Sequence, residues 1–180
     1  MSCRVWRESI QMDAIELLKT RRSCRKFVGQ VSDEDLNTII ECGLNAPSAH
    51  NEQDVKIVVV QDSDTVKALN DLNKSFWEAN ADPFYGAPTV CLILAPETNL
   101  NGFKDGALVI GAMQAAAWAL GVGSCWINRC TEMFESDEGK FYLEKWGLEN
   151  YVGIGCCILG QPGQVMSPKQ IKSNRIIFDK

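Results

Sequence analysis

Residues 105–120 constrain this chain more than any other stretch. They run from Asp105 to Leu120 through Ala107, Leu108, Val109, Ile110, Gly111, Ala112, Met113, Ala115, Ala116, Ala117 and Trp118, almost wholly small or apolar. Such a stretch predicts a helix that is apolar around its whole circumference, and a helix of that kind is buried rather than laid on a surface. In a chain of 180 residues it must sit at the centre of the domain or form a subunit interface. It is too short to span a bilayer, and no apolar run elsewhere reaches the roughly 18 residues a span needs.

The other elements fall on either side of it. Met12 to Arg22 has helical periodicity, with Met12, Ile15, Leu17 and Leu18 as its apolar side, and residues 1–11 precede it as a leader. Ser32 predicts an N-cap, with Asp35 three residues on, for a helix carrying Leu36, Ile39, Ile40 and Leu44 and stopped by Pro47. Val55 to Val60, Thr89 to Ala95 and Tyr151 to Gly160 read as strands, Ser124 to Asn128 as a short one and Arg175 to Phe178 as a brief terminal one. A short helix is expected from Ser63 and another from Ser136 to Trp146. Residues 73–86 set Phe76, Trp77, Phe84 and Tyr85 among polar residues, which fits either a lid or a satellite aromatic cluster. No linker or repeat divides the chain, so residues 12–180 are expected to form one domain.

Composition removes several function classes. The net charge of −5 argues against general nucleic-acid binding. The N-terminus lacks the apolar stretch of a signal peptide, so a cytoplasmic protein is expected. The eight cysteines include no Cys-x-x-Cys, several sit in apolar runs, and the single histidine, His50, is too little for common zinc patterns. No metal site is expected, and adjacent Cys156 and Cys157 would face opposite sides of a strand. Gly121-Val122-Gly123 and Gly153-Ile154-Gly155 both fail to complete the dinucleotide fingerprint, and no P-loop or nucleophile elbow is present.

Two short stretches stand out against that background. Arg21-Arg22-Ser23-Cys24-Arg25-Lys26 packs cations around a hydroxyl at the end of the first helix, which suits a phosphate. The same cluster could also be a solvated helix end favoured by the macrodipole. Ala46-Pro47-Ser48-Ala49-His50-Asn51-Glu52-Gln53 is a turn of small, hydrogen-bonding residues, which suits close approach to a polar planar ring. Phosphate plus planar ring suggests a mononucleotide cofactor.

These stretches, together with Ala119-Leu120-Gly121-Val122-Gly123-Ser124-Cys125-Trp126-Ile127, Phe84-Tyr85-Gly86-Ala87-Pro88 and Tyr151-Val152-Gly153-Ile154-Gly155, resemble the nitroreductase family of flavin mononucleotide (FMN) enzymes. The resemblance runs from Met12 almost to the end and is nearest the family's compact members. It implies an α+β fold, with a mainly antiparallel sheet flanked by helices, in a homodimer with FMN at its interface. Arg21, Arg22, Ser23 and Arg25 match the first flavin motif, with Arg21 and Ser23 on the phosphate and Arg25 at the N1–C2=O edge of the ring. There a fixed cation stabilises the charge that collects on reduction. Pro47, Ser48, Ala49, Asn51 and Gln53 match the second motif, which in similar proteins comes from the partner subunit.

Trp126, Ile127 and Asn128 match the segment along the ring, with a backbone N–H near Asn128 placed toward N5; Trp126 is equally readable as core. The usual Pro-Trp after Asn-x-Gln is replaced by Asp54-Val55. The basic pair that completes the phosphate site is represented by Lys169, Lys172 and Arg175, without a fixed register. The implied activity is hydride transfer from NAD(P)H through flavin N5 to a small-molecule acceptor, such as a nitroaromatic or quinone, by a ping-pong scheme. No side-chain acid or base is needed, which fits the absence of a catalytic dyad. A flavin-binding sensor without turnover and a flavin-free thiol protein are the competing readings.

Overall fold

A computed structural model describes residues 13–77 and 81–179. Six helices, α1 (Ala14–Thr20), α2 (Asp33–Leu44), α3 (Ser63–Ser75), α4 (Gly102–Ala119), α5 (Cys130–Glu135) and α6 (Asp137–Trp146), are interleaved with five strands. The strands are β1 (Phe27–Gly29), β2 (Lys56–Val60), β3 (Thr89–Pro96), β4 (Gly123–Ile127) and β5 (Tyr151–Pro162). The expected leader, Met12 and residues 78–80 of the mixed stretch lie outside the described residues.

Every pairing in the sheet is antiparallel, and β5 is its axis. β3 follows one side of β5 from Thr89↔Leu159 to Pro96↔Tyr151, with β2 beyond it. β4 takes the other side, from Ile127↔Cys156 to Gly123↔Gly160, and β1 continues that side at Phe27↔Pro162. Strand alternation then sorts the core into two layers. Val90, Leu92 and Leu94 join Leu69, Met133, Phe134 and Leu143 of α3, α5 and α6 on one face. Cys91, Ile93 and Ala95 join Leu36, Ile39, Ile110 and Met113 of α2 and α4 on the other. With helices over both faces the strands need no polar side, so they read as continuous apolar runs. Cys156 and Cys157 fall on opposite faces, as a period of two requires.

α4 lies against the sheet through Asp105, Gly106, Val109, Ile110, Met113 and Ala117, the three- and four-residue spacing of one helical face. Gly106 permits the contact, since a Cβ there would lie 2.8 Å from Ile154 Cγ2. The opposite side is not covered within one chain: Phe103, Leu108 and Leu120 are 56%, 48% and 41% exposed. The expectation of a helix buried all round is therefore met on one face only.

Other differences have local causes. α1 stops at Thr20 because Arg21 turns extended, at φ −50°, ψ 132°. Ser32 caps α2 as expected, its Oγ accepting the Asp35 N–H at 3.1 Å. β1 and α5 were not foreseen: one is three residues long and the other a single extra turn and a half before Ser136, the N-cap of α6. The terminal strand expected at 175–178 is absent; residues 163–179 form no strand or helix, because they enter no ladder among the described residues. In the mixed stretch, Phe84 is core with Phe76 and Tyr85 packed against the same cluster, while Trp77 is exposed, so the aromatic-cluster reading holds for all but Trp77.

Candidate functional site

The basic loop is built by what flanks it. Thr20 Oγ1 accepts the Trp118 indole N–H at 3.1 Å, fixing the end of α1 to α4. Beyond it the chain is extended, so side chains alternate. Cys24 points inward and is fully buried; its N–H donates to the Ser124 carbonyl at 2.8 Å. The Lys26 carbonyl accepts the Gly163 N–H at 2.7 Å. Pinned to β4 and to the end of β5, the loop turns Arg21, Arg22, Ser23 and Arg25 toward a cleft of about 460 Å³. The other wall is Gln164 to Ser167 with Lys169. Arg22 holds that wall in place, donating from Nε to the Ser167 carbonyl at 3.2 Å and from Nη1 to the Arg21 and Lys19 carbonyls at 2.7 and 3.1 Å.

The cleft lining carries four cations and no carboxylate. Arg21 Nη1 is buried, without a hydrogen-bond partner among the described residues. A buried donor left unpaired is costly, and four cations without a carboxylate favour an anion in the cleft. A phosphate fits: planar guanidinium, hydroxyl and ammonium donors converge on one small volume. Below the loop, burial pushes the Cys125 thiol up, while Arg25, the Ser23 hydroxyl and Arg21 pull it the other way. Of the three candidate cations Lys169, Lys172 and Arg175, Lys169 lines the cleft; Lys172 and Arg175 do not, and both are exposed.

The second motif is a single 3-10 turn, Ala49–Asn51. Ser48 organises it, its Oγ accepting the Gln53 N–H and its carbonyl the Asn51 N–H, both at 3.1 Å. His50, Asn51 and Gln53 have φ of 53°, 58° and 53°, the left-handed region that non-glycine residues seldom occupy. Such strain persists only where surroundings impose it, and it gathers at functional sites. Part of the imposing is done by Asp105, which is 4% exposed and accepts the Ala49 N–H through Oδ1 at 3.1 Å. Its Oδ2 is buried and unpartnered. The sequence places Asp105 only at the start of the apolar helix, where a lone carboxylate is the one signal of this role. None of Pro47, Ser48, Ala49, Asn51 or Gln53 lines the Arg21–Lys169 cleft; Pro47, His50, Asn51 and Gln53 are exposed. One chain does not bring the two motifs together.

At the end of β4, Trp126 is half-buried and packs on the α2–α4 side, its indole close over Gly155. The indole N–H is buried without a partner. Ile127 is buried on the opposite face, and the Asn128 carbonyl accepts from Asn73 Nδ2 at 2.7 Å, which fixes the strand end.

The cysteines supply no competing centre. Among the described residues all seven are free, and only Cys42 is exposed. Burial pushes the Cys91 thiol up to about 12, and Cys157 is raised the same way. A hydrogen bond that the Cys156 thiol donates to Cys130, together with burial, raises Cys156. Thiols this hard to ionise are poor nucleophiles. The described residues include no cluster suited to a metal ion and no helix long and apolar enough to cross a membrane.

The nitroreductase family model matches residues 18–161. This chain belongs to the nitroreductase family. A nitroreductase of Bacteroides fragilis, crystallised with bound FMN, is 27% identical and superposes with a TM-score of 0.85, the match covering 94% of this chain and 100% of that one. An FMN-dependent nitroreductase of Clostridium difficile is 29% identical with a TM-score of 0.81, covering 94% and 100%. An Archaeoglobus fulgidus protein, provisionally named NADH dehydrogenase/NAD(P)H nitroreductase, is 28% identical over 159 residues, covering 83% of this chain and 86% of its own. The nitroreductase match takes in the basic loop, the strained turn and all five strands up to Gln161, but not Lys169.

Proposed function

We propose that this nitroreductase-family protein is an FMN-dependent oxidoreductase that uses NAD(P)H to reduce nitroaromatic or quinone-like acceptors, one substrate leaving before the next arrives. The observation that carries the reading is a cleft lined by Arg21, Arg22, Arg25 and Lys169 with the Ser23 hydroxyl and no carboxylate. Arg21, Ser23 and Lys169 hold the phosphate, and Arg22 braces the wall opposite. Arg25 meets the N1–C2=O edge of the ring, where a fixed cation favours the reduced, negatively charged form. Lys172 and Arg175 stand outside this assignment.

Pro47, Ser48, Ala49, Asn51 and Gln53 of a second copy complete the ring pocket. This rests on their distance from the cleft lining in one chain and on the uncovered apolar side of α4. Trp126, Ile127 and Asn128 border the ring, with a backbone N–H near Asn128 directed at N5. FMN held by these residues would supply the hydride-transfer chemistry between NAD(P)H and the acceptor. The protein's own residues bind, orient and charge-match; none has to move a proton. Free cysteines throughout the described residues suit a reducing, cytoplasmic setting.

Steady-state oxidation of NAD(P)H, with a quinone or nitroaromatic varied against it, tests the reading. Parallel double-reciprocal lines are expected. Intersecting lines would mean both substrates bind together, and bound FMN without turnover would favour the sensor reading.

A further inference from the structure

Beside the cationic cleft lies a second strained turn. Tyr85 has φ 53° and is followed by Gly86 at φ 69°. A glycine takes that conformation freely, whereas an L-tyrosine there is disfavoured by its own Cβ. The surroundings hold it from both sides. Phe84 is buried in the core, its N–H donating to Asn70 Oδ1 and Asp82 Oδ1, each at 3.0 Å. The Phe84 carbonyl accepts the Ala87 N–H at 2.9 Å, and the Tyr85 N–H donates to the Asp82 carbonyl at 3.2 Å. What the strain achieves is the place of the ring: Arg25 Cζ lies over it, 5.9 Å from the centroid. Among the described residues no carboxylate pairs with Arg25, which is exposed.

We propose that Tyr85 is a positioning residue for Arg25. A long, exposed arginine loses much rotamer freedom when it is held at a ligand. An aromatic face takes up the flat side of the guanidinium and leaves its N–H edge free to donate. The tyrosine ring thus sets Arg25 in its donating position before FMN arrives, and strengthens its hold most where negative charge develops. Tyr85 acts on the flavin through Arg25 and not by touching it. The inference rests on the assignment of Arg25 to the ring edge.

The test is the midpoint potential of FMN in the holoenzyme, with oxidised-FMN affinity measured alongside. Tyr85→Leu removes the aromatic face; Tyr85→Asn does so with a residue that suits a left-handed backbone, and serves if the first variant does not fold. Both are expected to make the potential more negative, the preference for reduced over oxidised FMN falling about two- to fivefold. Tyr85→Phe is expected to keep it, and neither ring-free change should add to Arg25→Ala. A Tyr85→Leu potential equal to wild type, while Arg25→Ala moves it, overturns the proposal and leaves the Arg25 assignment standing. An equal Tyr85→Leu shift in the Arg25→Ala background also overturns it, because the ring then acts directly. An Arg25→Ala potential equal to wild type removes the Arg25 assignment itself.

Discussion

Replacing Arg21 by methionine should move two quantities in opposite directions. Arg21 is half-buried, and its Nη1 is buried with no acceptor among the described residues. An unmet buried donor destabilises a folded chain by about 1–3 kcal/mol. Arg21 is only half-buried, so the lower end applies. Methionine keeps the apolar stem and removes the donor, so the FMN-free protein should gain up to about 1 kcal/mol, or about 2–4 °C in melting temperature for a chain of this size. FMN binding should suffer instead, because a charge-assisted bond to a phosphate is worth about 1.5–3 kcal/mol. At 1.4 kcal/mol per tenfold, that is roughly 10- to 150-fold in Kd. The assay is fluorescence titration of FMN at fixed ionic strength, with thermal melts of the FMN-free variant and wild type. Wild-type FMN affinity in Arg21→Met, or a loss of more than about 1 kcal/mol in the FMN-free protein, would refute the reasoning, since either makes the guanidinium a structural brace.

Asp105→Ala should cost about 1–2 kcal/mol in urea denaturation by stranding the Ala49 N–H, and should weaken FMN; Asp105→Asn, which still accepts through Oδ1, should restore most of both. Gly106→Val should destabilise by about 1–3 kcal/mol, because its Cβ would meet Ile154 at 2.8 Å on the stiff α4–β5 contact. Mixed dimers of Arg21→Ala and Gln53→Ala subunits should recover about half the FMN per dimer that wild type holds, because one of the two shared sites is then intact; no recovery means both motifs serve the same subunit's site. In a Cys3→Ser background, Cys42 should be the described thiol that reacts quickly with a thiol reagent in the native state. The Cys91 thiol is ionised near 9.0 when unfolded and only at about 12 when folded, so its contribution to stability is full below pH 9 and falls as pH rises from 9 toward 12.

The sheet was readable because its strands are buried on both faces, so β2, β3 and β5 announce themselves as apolar runs whatever their neighbours do. α2 was readable for another reason: Ser32 and Asp35 carry the cap chemistry in their own side chains. β1 and α5 were missed because their existence depends on tertiary pairing. β1 is three residues held only by the end of β5, and α5 is secured through packing against that same strand. Residues 175–178 show the same dependence in reverse, since they have strand propensity but no ladder among the described residues.

The basic loop was legible in composition, and alternation along an extended chain explains why Arg21, Ser23 and Arg25 go together. The strained turn at 48–53 was legible only as a run of small polar residues. Its geometry depends on Asp105, more than fifty residues away, and no local pattern reports that bond. That Lys169 lines the cleft while Lys172 and Arg175 do not likewise depends on the wall that Arg22 holds to Ser167.

The visible absorption spectrum of the purified protein, recorded before and after denaturation, tests the central claim most directly. Flavin bands that shift on unfolding, with release of free FMN in a ratio near one per chain, are the expected result. A colourless protein that also fails to take up added FMN would contradict the account and leave the cationic cleft to some other phosphorylated ligand.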